Sequence, residues 1–154
     1  MKLLLKIEKF FVGTLLAILI VFTFVNVILR YFFNYSMMGS VEISILMFAW
    51  IVFVGSSIAI SSDSHIKINL LEFMLSDKIN RSLSIVISVI ILIVSIYLCF
   101  TGVIFTIEVF GEKLGATNIP KALVYASLPV GFGLTSIHII YQLMTVFKAK
   151  EGQH

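Results

Sequence analysis

Charged residues are confined to short segments of the chain and are absent from the long segments between them. Four stretches contain no Asp, Glu, Lys or Arg, and each is 20 residues or longer: 10–29, 43–62, 83–107 and 122–147. A helix needs about 20 consecutive apolar residues to cross the hydrocarbon core of a bilayer. The pattern therefore predicts an all-α integral membrane bundle of four transmembrane helices, with 1–154 forming a single membrane domain.

The composition leaves little room for any other class of protein. The 154 residues are 60% hydrophobic and 12% charged, whereas soluble domains are roughly 45–50% apolar and roughly 25% charged. The four spans use most of the length, so no sizeable extramembrane domain is expected. The net charge of +3 is assigned to topology signals at helix ends and not to nucleic-acid binding.

The distribution of Lys and Arg predicts the orientation in the membrane. The N-terminus, the middle loop and the C-terminus together carry eight of them, and the first and third loops carry three. By the positive-inside rule, both termini and the middle loop are predicted to be cytoplasmic. The pattern predicts a multi-pass membrane protein with this orientation.

Two local features refine this topology. In the middle loop, the apolar positions among residues 70–75 form an arc that predicts a short interfacial helix. In the fourth span, Pro129 removes a backbone donor and clashes with the preceding turn, so a kink is predicted between Tyr125 and Pro129, where the hydroxyl of Ser127 is available.

Several polar and aromatic residues are candidates for contacts with a partner or for fixing helix register. Arg30 ends the first span and Glu42 opens the second. They are either separate interfacial charges or an ion pair, between helices or between subunits, that fixes helix register. Trp50 lies inside the second span, which favours packing against protein. Tyr31, Phe32 and Phe33 are typical of an aromatic belt at the membrane surface.

His138 is the only imidazole inside the spans. A proton relay and a haem ligand are conceivable roles for it, but no second span contains the His that a b-type haem requires. The favoured interpretation is a neutral His138 that is hydrogen-bonded to a hydroxyl of another span or to a partner chain. Asp63, His65 and Asp77 lack the compact spacing of metal ligands, so no metal, cofactor or catalytic site is predicted.

The order of motifs resembles the small membrane subunit (DctQ-like, Q subunit) of tripartite ATP-independent periplasmic (TRAP) transporters. In this family the first span ends in an Asn-x-x-x-Arg-aromatic-Phe-x-Asn run, and an acidic residue opens the second span. A Trp and Gly-rich segment and a His-Ile-x-Ile-Asn-Leu turn follow. The fourth span carries a proline motif. The matching positions here are 26–34, Glu42, 48–59, 65–70 and 128–132.

The resemblance implies a non-enzymatic accessory subunit that braces a large, multi-span subunit moving as an elevator. The large subunit would hold the substrate and sodium sites. A periplasmic binding protein would deliver a carboxylate-bearing solute such as sialic acid or a C4-dicarboxylate. The lipid bilayer is the other expected partner, and no nucleic acid is expected.

Two alternative classes of membrane protein fit the sequence less well. A small homodimeric four-helix exporter would require a membrane-centre acid, and the first span offers only Asn26 there. A haem or quinone anchor of a respiratory complex is opposed by the single intramembrane His.

Overall fold

The computed structural model describes the backbone of residues 2–62 and 77–151 and the side chains of residues 3–61 and 83–145. Its helices are α1 (Lys2–Phe33), α2 (Ser40–Ser62), α3 (Asp77–Glu108), α4 (Ala122–Tyr125) and α5 (Ser127–Glu151). Four helical segments are long and apolar enough to cross a membrane: Leu3–Phe33, Ser40–Ser61, Leu83–Glu108 and Ala122–Thr145. The predicted all-α class with four transmembrane helices is confirmed. The interfacial helix predicted at 70–75 lies outside the described residues, as do Asp63 and His65.

The first loop is short, and backbone conformation determines where its flanking helices stop and start. Asn34 adopts a left-handed φ of 50°, and the Tyr35 amide donates to the Leu29 carbonyl at 3.1 Å, so a left-handed residue closes the end of α1. Gly39, with φ of +79°, precedes the first residue of α2. Because L side chains rarely adopt this φ, glycine is the residue suited to the entry of α2.

The helices lie side by side in the order α1, α2, α5, α3, since the extensive contacts are those between α1 and α2, α2 and α5, and α3 and α5. Helix α5 is therefore central, while α1 and α3 are at the edges. Phe24, Phe100 and most other large apolar side chains of α1 and α3 are exposed, as expected for surfaces in contact with lipid.

The buried interior consists mainly of small and polar side chains. Its members are Val54, Ala122, Ile139, Glu8, Ser57, Ser95, Ser127, Thr135, Ser136 and His138. Lipid tails are as apolar as leucine, so helices in a membrane gain little from burying large apolar groups and associate by close packing and hydrogen bonds. The interior is small and polar, unlike that of a soluble protein, because lipid and not water surrounds the helices.

The fourth span is interrupted at Ala126, between α4 and α5, three residues before Pro129. Pro129 has no amide hydrogen, so it cannot donate to the carbonyl of Tyr125 as a regular helix requires. The Ser127 hydroxyl donates to the Val124 carbonyl at 2.6 Å, and the Cys99 thiol of α3 donates to the Pro129 carbonyl at 3.4 Å. The interruption in the hydrogen bonds lies within 125–129, where Ala126 keeps a right-handed helical φ of −61°, and the kink predicted there stays a prediction.

Glycines let α5 approach both neighbours closely. A Cβ atom on Gly131 would lie 2.5 Å from the carbonyl oxygen of Phe53 in α2, and one on Gly102 in α3 would overlap Leu128 and lie 3.0 Å from Cδ of Pro129. Backbone-level contact of this kind is typical of small residues at helix interfaces in membranes.

Candidate functional site

We call the end of the helices that carries the first and third loops (34–39 and 109–121) the loop end, and the opposite end, with both chain termini, the terminal end. Glu42, in the first turn of α2, lies at the loop end and binds the third loop. Its carboxylate accepts hydrogen bonds from the amides of Ala116 and Thr117, both at 2.9 Å, and from the Thr117 hydroxyl at 2.7 Å. One acidic side chain thus anchors the tip of a loop that is 74 residues away in sequence.

The third loop is shaped to reach Glu42. The Leu114 amide donates to the Ile119 carbonyl at 2.8 Å, and the turn between them contains Asn118 with a left-handed φ of 56°. At the base of the loop, the Lys121 ammonium group lies 2.7 Å from the Glu112 carboxylate, which raises the pKa of Lys121 above its ordinary value.

The loop tip also packs over the entry of α2. A Cβ atom on Gly39 would collide with the side chain of Thr117. Gly39 is therefore constrained twice, by its positive φ and by the neighbouring loop.

Arg30 does not pair with Glu42. Among the described residues the ion pairs are Lys121–Glu112 and His138–Glu8, and the carboxylate of Glu42 is directed to the third loop. Within this chain the two charges are therefore separate, and a pair between subunits stays a prediction. Arg30 instead lines a cleft of about 660 Å³ between the loop-end halves of α1 and α2, together with Asn26, Ser40 and Phe48.

The aromatic run beside Arg30 faces outward. Tyr31, Phe32 and Phe33 are 80%, 82% and 70% exposed, so they contact whatever surrounds the subunit at this level. With Arg30, they form an exposed patch at the end of α1, which we call the α1 rim (residues 30–33).

Trp50 lies against protein, in the middle of the row of helices. Its indole amine donates to the Leu123 carbonyl in α4 at 3.0 Å. Its ring meets Phe11 of α1 edge-on, with centroids 6.1 Å apart. Trp50 therefore links three helices and is not part of the α1 rim.

Toward the terminal end, three buried polar side chains from three helices meet. The Nε2 atom of His138 in α5 lies 3.0 Å from both carboxylate oxygens of Glu8 in α1, and the Ser57 hydroxyl of α2 lies 3.1 Å from Glu8 Oε2. All three residues are buried, with at most 4% of their surface exposed. The sequence did not predict a buried pair of this kind.

The structure does not pair His138 with the expected hydroxyl of another span. A span hydroxyl, that of Ser57, is present, but the direct partner of the imidazole is the carboxylate of Glu8, 130 residues away. Glu8 precedes the first uncharged stretch by two positions, and its flanking Lys6 and Lys9 mark a surface segment. The sequence did contain a signal for this position. In a continuous helix Glu8 lies on the same face as Phe11 and Val12, so all three side chains would point toward the neighbouring helices.

Two further polar atoms on α5 are buried near this cluster without a hydrogen-bond partner in the described part of the chain, namely Nδ1 of His138 and Oγ1 of Thr135. Gln142, one turn further along α5, donates to the Ile60 carbonyl of α2 at 3.1 Å. The terminal half of α5 is therefore attached to its neighbours by polar contacts.

In the ranges that the structure describes, no three His, Cys, Asp or Glu side chains come together as a possible metal site. The arrangement holds helices and a loop in place.

Comparisons with known proteins identify what this chain is similar to. The sequence profile described as "Tripartite ATP-independent periplasmic transporters, DctQ component" matches residues 19–149. The C4-dicarboxylate TRAP transporter small permease protein DctQ of Vibrio cholerae is 25% identical, over 91% of this chain and 72% of the relative.

Two more relatives have comparable similarity. A putative TRAP transporter small permease protein of Haemophilus influenzae is 25% identical over 91% of this chain and 88% of its own length. The ectoine TRAP transporter small permease protein TeaB of Halomonas elongata is 26% identical over 88% of this chain and 72% of its own.

Proposed function

The chain belongs to the DctQ component family of tripartite ATP-independent periplasmic transporters, and from that premise we propose that it braces the large membrane subunit of such a transporter as a stationary scaffold. Members of this family are transport components and not enzymes, and this chain is a multi-pass membrane protein. The scaffold role goes one step beyond family membership.

One observation carries the scaffold role. Within 10–29, 43–62, 83–107 and 122–145, His138 is the single acidic, basic or imidazole side chain, and it is buried against Glu8. Proteins that move ions or charged solutes through a membrane place ionisable groups along the path. Because the His138 and Glu8 side chains are buried and bind each other, we assign the path for ions or solute to another subunit.

The other subunits of the transporter are proposed from membership of the family. The partners are a large multi-span subunit, which would carry the sodium and substrate sites, and a periplasmic binding protein. The imported solute is proposed to bear a carboxylate, in keeping with the relative named for C4-dicarboxylates. The proposed location is the bacterial inner membrane with both termini cytoplasmic, which places the loop end on the periplasmic side.

The α1 rim is the proposed contact with the partner. Arg30 has no ion-pair partner among the described residues, and the three aromatic side chains after it are at least 70% exposed. Arginine and aromatic residues are enriched where proteins bind one another. Glu42 and Trp50, also candidates from the sequence, are proposed to act indirectly by holding the third loop and helix α4.

Co-purification and uptake test this proposal. The tagged chain is co-expressed with the large permease subunit of the transporter, and recovery of that subunit is compared for wild type, Arg30→Ala and Phe32→Ala. Both variants should recover less partner and support slower solute uptake. Phe100→Ala removes a side chain that is 66% exposed on α3 and serves as the matched control. If both rim variants retain full recovery and full uptake, the rim is not the contact.

A further inference from the structure

Helix α1 makes few contacts with the rest of the subunit. Its extensive packing is with α2 alone, and its most apolar membrane-spanning stretch contains no buried residue. In lipid, apolar contact between helices has little driving force, because the tails solvate the same side chains equally well. Something other than apolar burial is needed to keep α1 in place.

Two contacts of α1 with α2 lie in the terminal half of α1. There, Phe11 meets Trp50, and a Cβ atom on Gly55 would lie 3.9 Å from the side chain of Val12. Toward the loop end, the cleft of about 660 Å³ separates the two helices from Leu19 onward. The attachment point of α1 is therefore near Glu8.

Glu8 is also the one buried residue among the described side chains of α1. It contacts two other helices at once, through His138 and Ser57. The other charged side chains nearby on α1, Lys6 and Lys9, are exposed. Helix α2 carries a single charged residue, Glu42, at the opposite end of the helix. Among the described side chains of α1, α2 and α5, no third charge therefore faces the pair.

The electrostatics of the pair depend on a single proton. With one proton between Glu8 and His138, the pair has no net charge, either as carboxylate and imidazolium or as carboxylic acid and imidazole. With no proton or with two, it carries a buried net charge, which is costly at this depth. The Ser57 hydroxyl has one hydrogen, which it can donate to Glu8 or to the Val54 carbonyl at 2.7 Å.

We propose that Glu8, His138 and Ser57 form a polar clasp, neutral as a whole because it holds one proton, that attaches α1 to α2 and α5 inside the membrane. The clasp therefore holds α1 at the end opposite to the α1 rim. This inference concerns the subunit by itself and does not rest on the proposed transport role.

The chain contains a natural reporter for the docking of α1. Trp50 is the only tryptophan, and Phe11 of α1 covers one edge of it. The full chain is reconstituted in phosphatidylcholine nanodiscs, and a brominated phosphatidylcholine is added as a quencher that acts on contact. Undocking of α1 admits lipid to Trp50 and increases quenching.

Glu8→Ala and His138→Ala should shift α1 toward the undocked state by roughly tenfold in the docking equilibrium. Glu8→Gln should stay close to wild type, because its amide hydrogen takes the place of the shared proton. Lys9→Ala is the matched control, since it removes an exposed charge one position away. Phe11→Ala sets the signal for an uncovered Trp50.

A second measurement guards against an indirect effect on Trp50. In a Cys99→Ser background, Val12→Cys with Gly55→Cys should form a disulfide readily, and Glu8→Ala should slow its formation by a similar factor. Unchanged quenching and unchanged disulfide formation in both alanine variants would overturn the clasp. Quenching in Glu8→Gln as strong as in Glu8→Ala would overturn its neutral, one-proton form.

Discussion

Replacing Gly131 by alanine is expected to force α2 and α5 apart. The new Cβ atom would lie 2.5 Å from the Phe53 carbonyl oxygen and 2.6 Å from both the carbonyl carbon and Cβ of Phe53. Two of these three atoms are backbone atoms, so a rotamer change cannot remove the overlap. The helices themselves have to shift at the point where the central helix of the subunit packs most closely.

The size of the effect follows from the geometry. A comfortable carbon–oxygen contact is about 3.3 Å, so the backbones must separate locally by about 0.8 Å. Gaps of that size forfeit a quarter to a half of the dispersion energy of the contacts around them, and overpacking of a close interface costs about 1–3 kcal/mol. We therefore expect Gly131→Ala to destabilise the α2–α5 pair by about 2 kcal/mol.

Gly133 provides a matched control on the same helix. A Cβ atom there would meet Cys99 Sγ at 3.8 Å, which is an ordinary contact. Both substitutions replace Gly by Ala inside α5 and so change helix propensity by the same amount, about 1 kcal/mol in favour of Ala. The difference between the two variants isolates the close approach to Phe53.

The assay is unfolding of the purified subunit in dodecylmaltoside as sodium dodecyl sulfate is added, followed by circular dichroism and by Trp50 fluorescence. Gly131→Ala should unfold at a lower detergent mole fraction than Gly133→Ala, with both probes shifting together. If the two variants unfold at the same mole fraction, the backbone contact at Gly131 does not limit the packing of α5.

Three further outcomes are expected. Glu42→Gln should loosen the third loop, because the carboxylate accepts three hydrogen bonds and the neutral amide keeps only one acceptor oxygen. Hydrogen exchange at the loop tip should then become faster, while exchange in α5 stays unchanged. Trp50→Phe should cost about 1 kcal/mol in the same detergent titration, followed by circular dichroism alone, because the carbonyl of Leu123 loses its donor. Equal stability would show that this bond is dispensable. The pKa of Lys121 is raised by Glu112, so the contribution of this pair is present at neutral pH and is lost as the pH rises through the elevated value. The stability difference between wild type and Glu112→Gln in that titration should therefore shrink as the pH rises.

The residues around Pro129 show how far local sequence can be interpreted. Proline lacks an amide hydrogen in any environment, so an interruption in the preceding turn was predictable and is observed at Ala126. That the thiol of Cys99 approaches the Pro129 carbonyl, and that Gly102 makes room for Leu128, depends on which helix lies beside α5. The hydropathy pattern of a sequence does not show which helices are neighbours.

Arg30 and Glu42 illustrate the opposite limit. Their positions at consecutive helix ends follow from the sequence, but proximity along a hairpin does not decide the partner of a charge. Glu42 is bound by the backbone amides of a loop that carries no basic residue at its tip, and amides have no sequence signature. The ion pair was a reasonable alternative that the fold did not realise.

Sequence by itself determined the number of spans, their approximate limits and the class of protein, because the thickness of a bilayer and the exclusion of charge from its core constrain composition residue by residue. Only the tertiary structure decided what the buried polar groups do. Glu8 belongs to α1 as a helix but not to its uncharged stretch, and its partner His138 is 130 residues away. The physical reason is that a charged residue near a membrane boundary can face water, or can be buried where another helix supplies a polar partner, and the packing of the helices decides between the two.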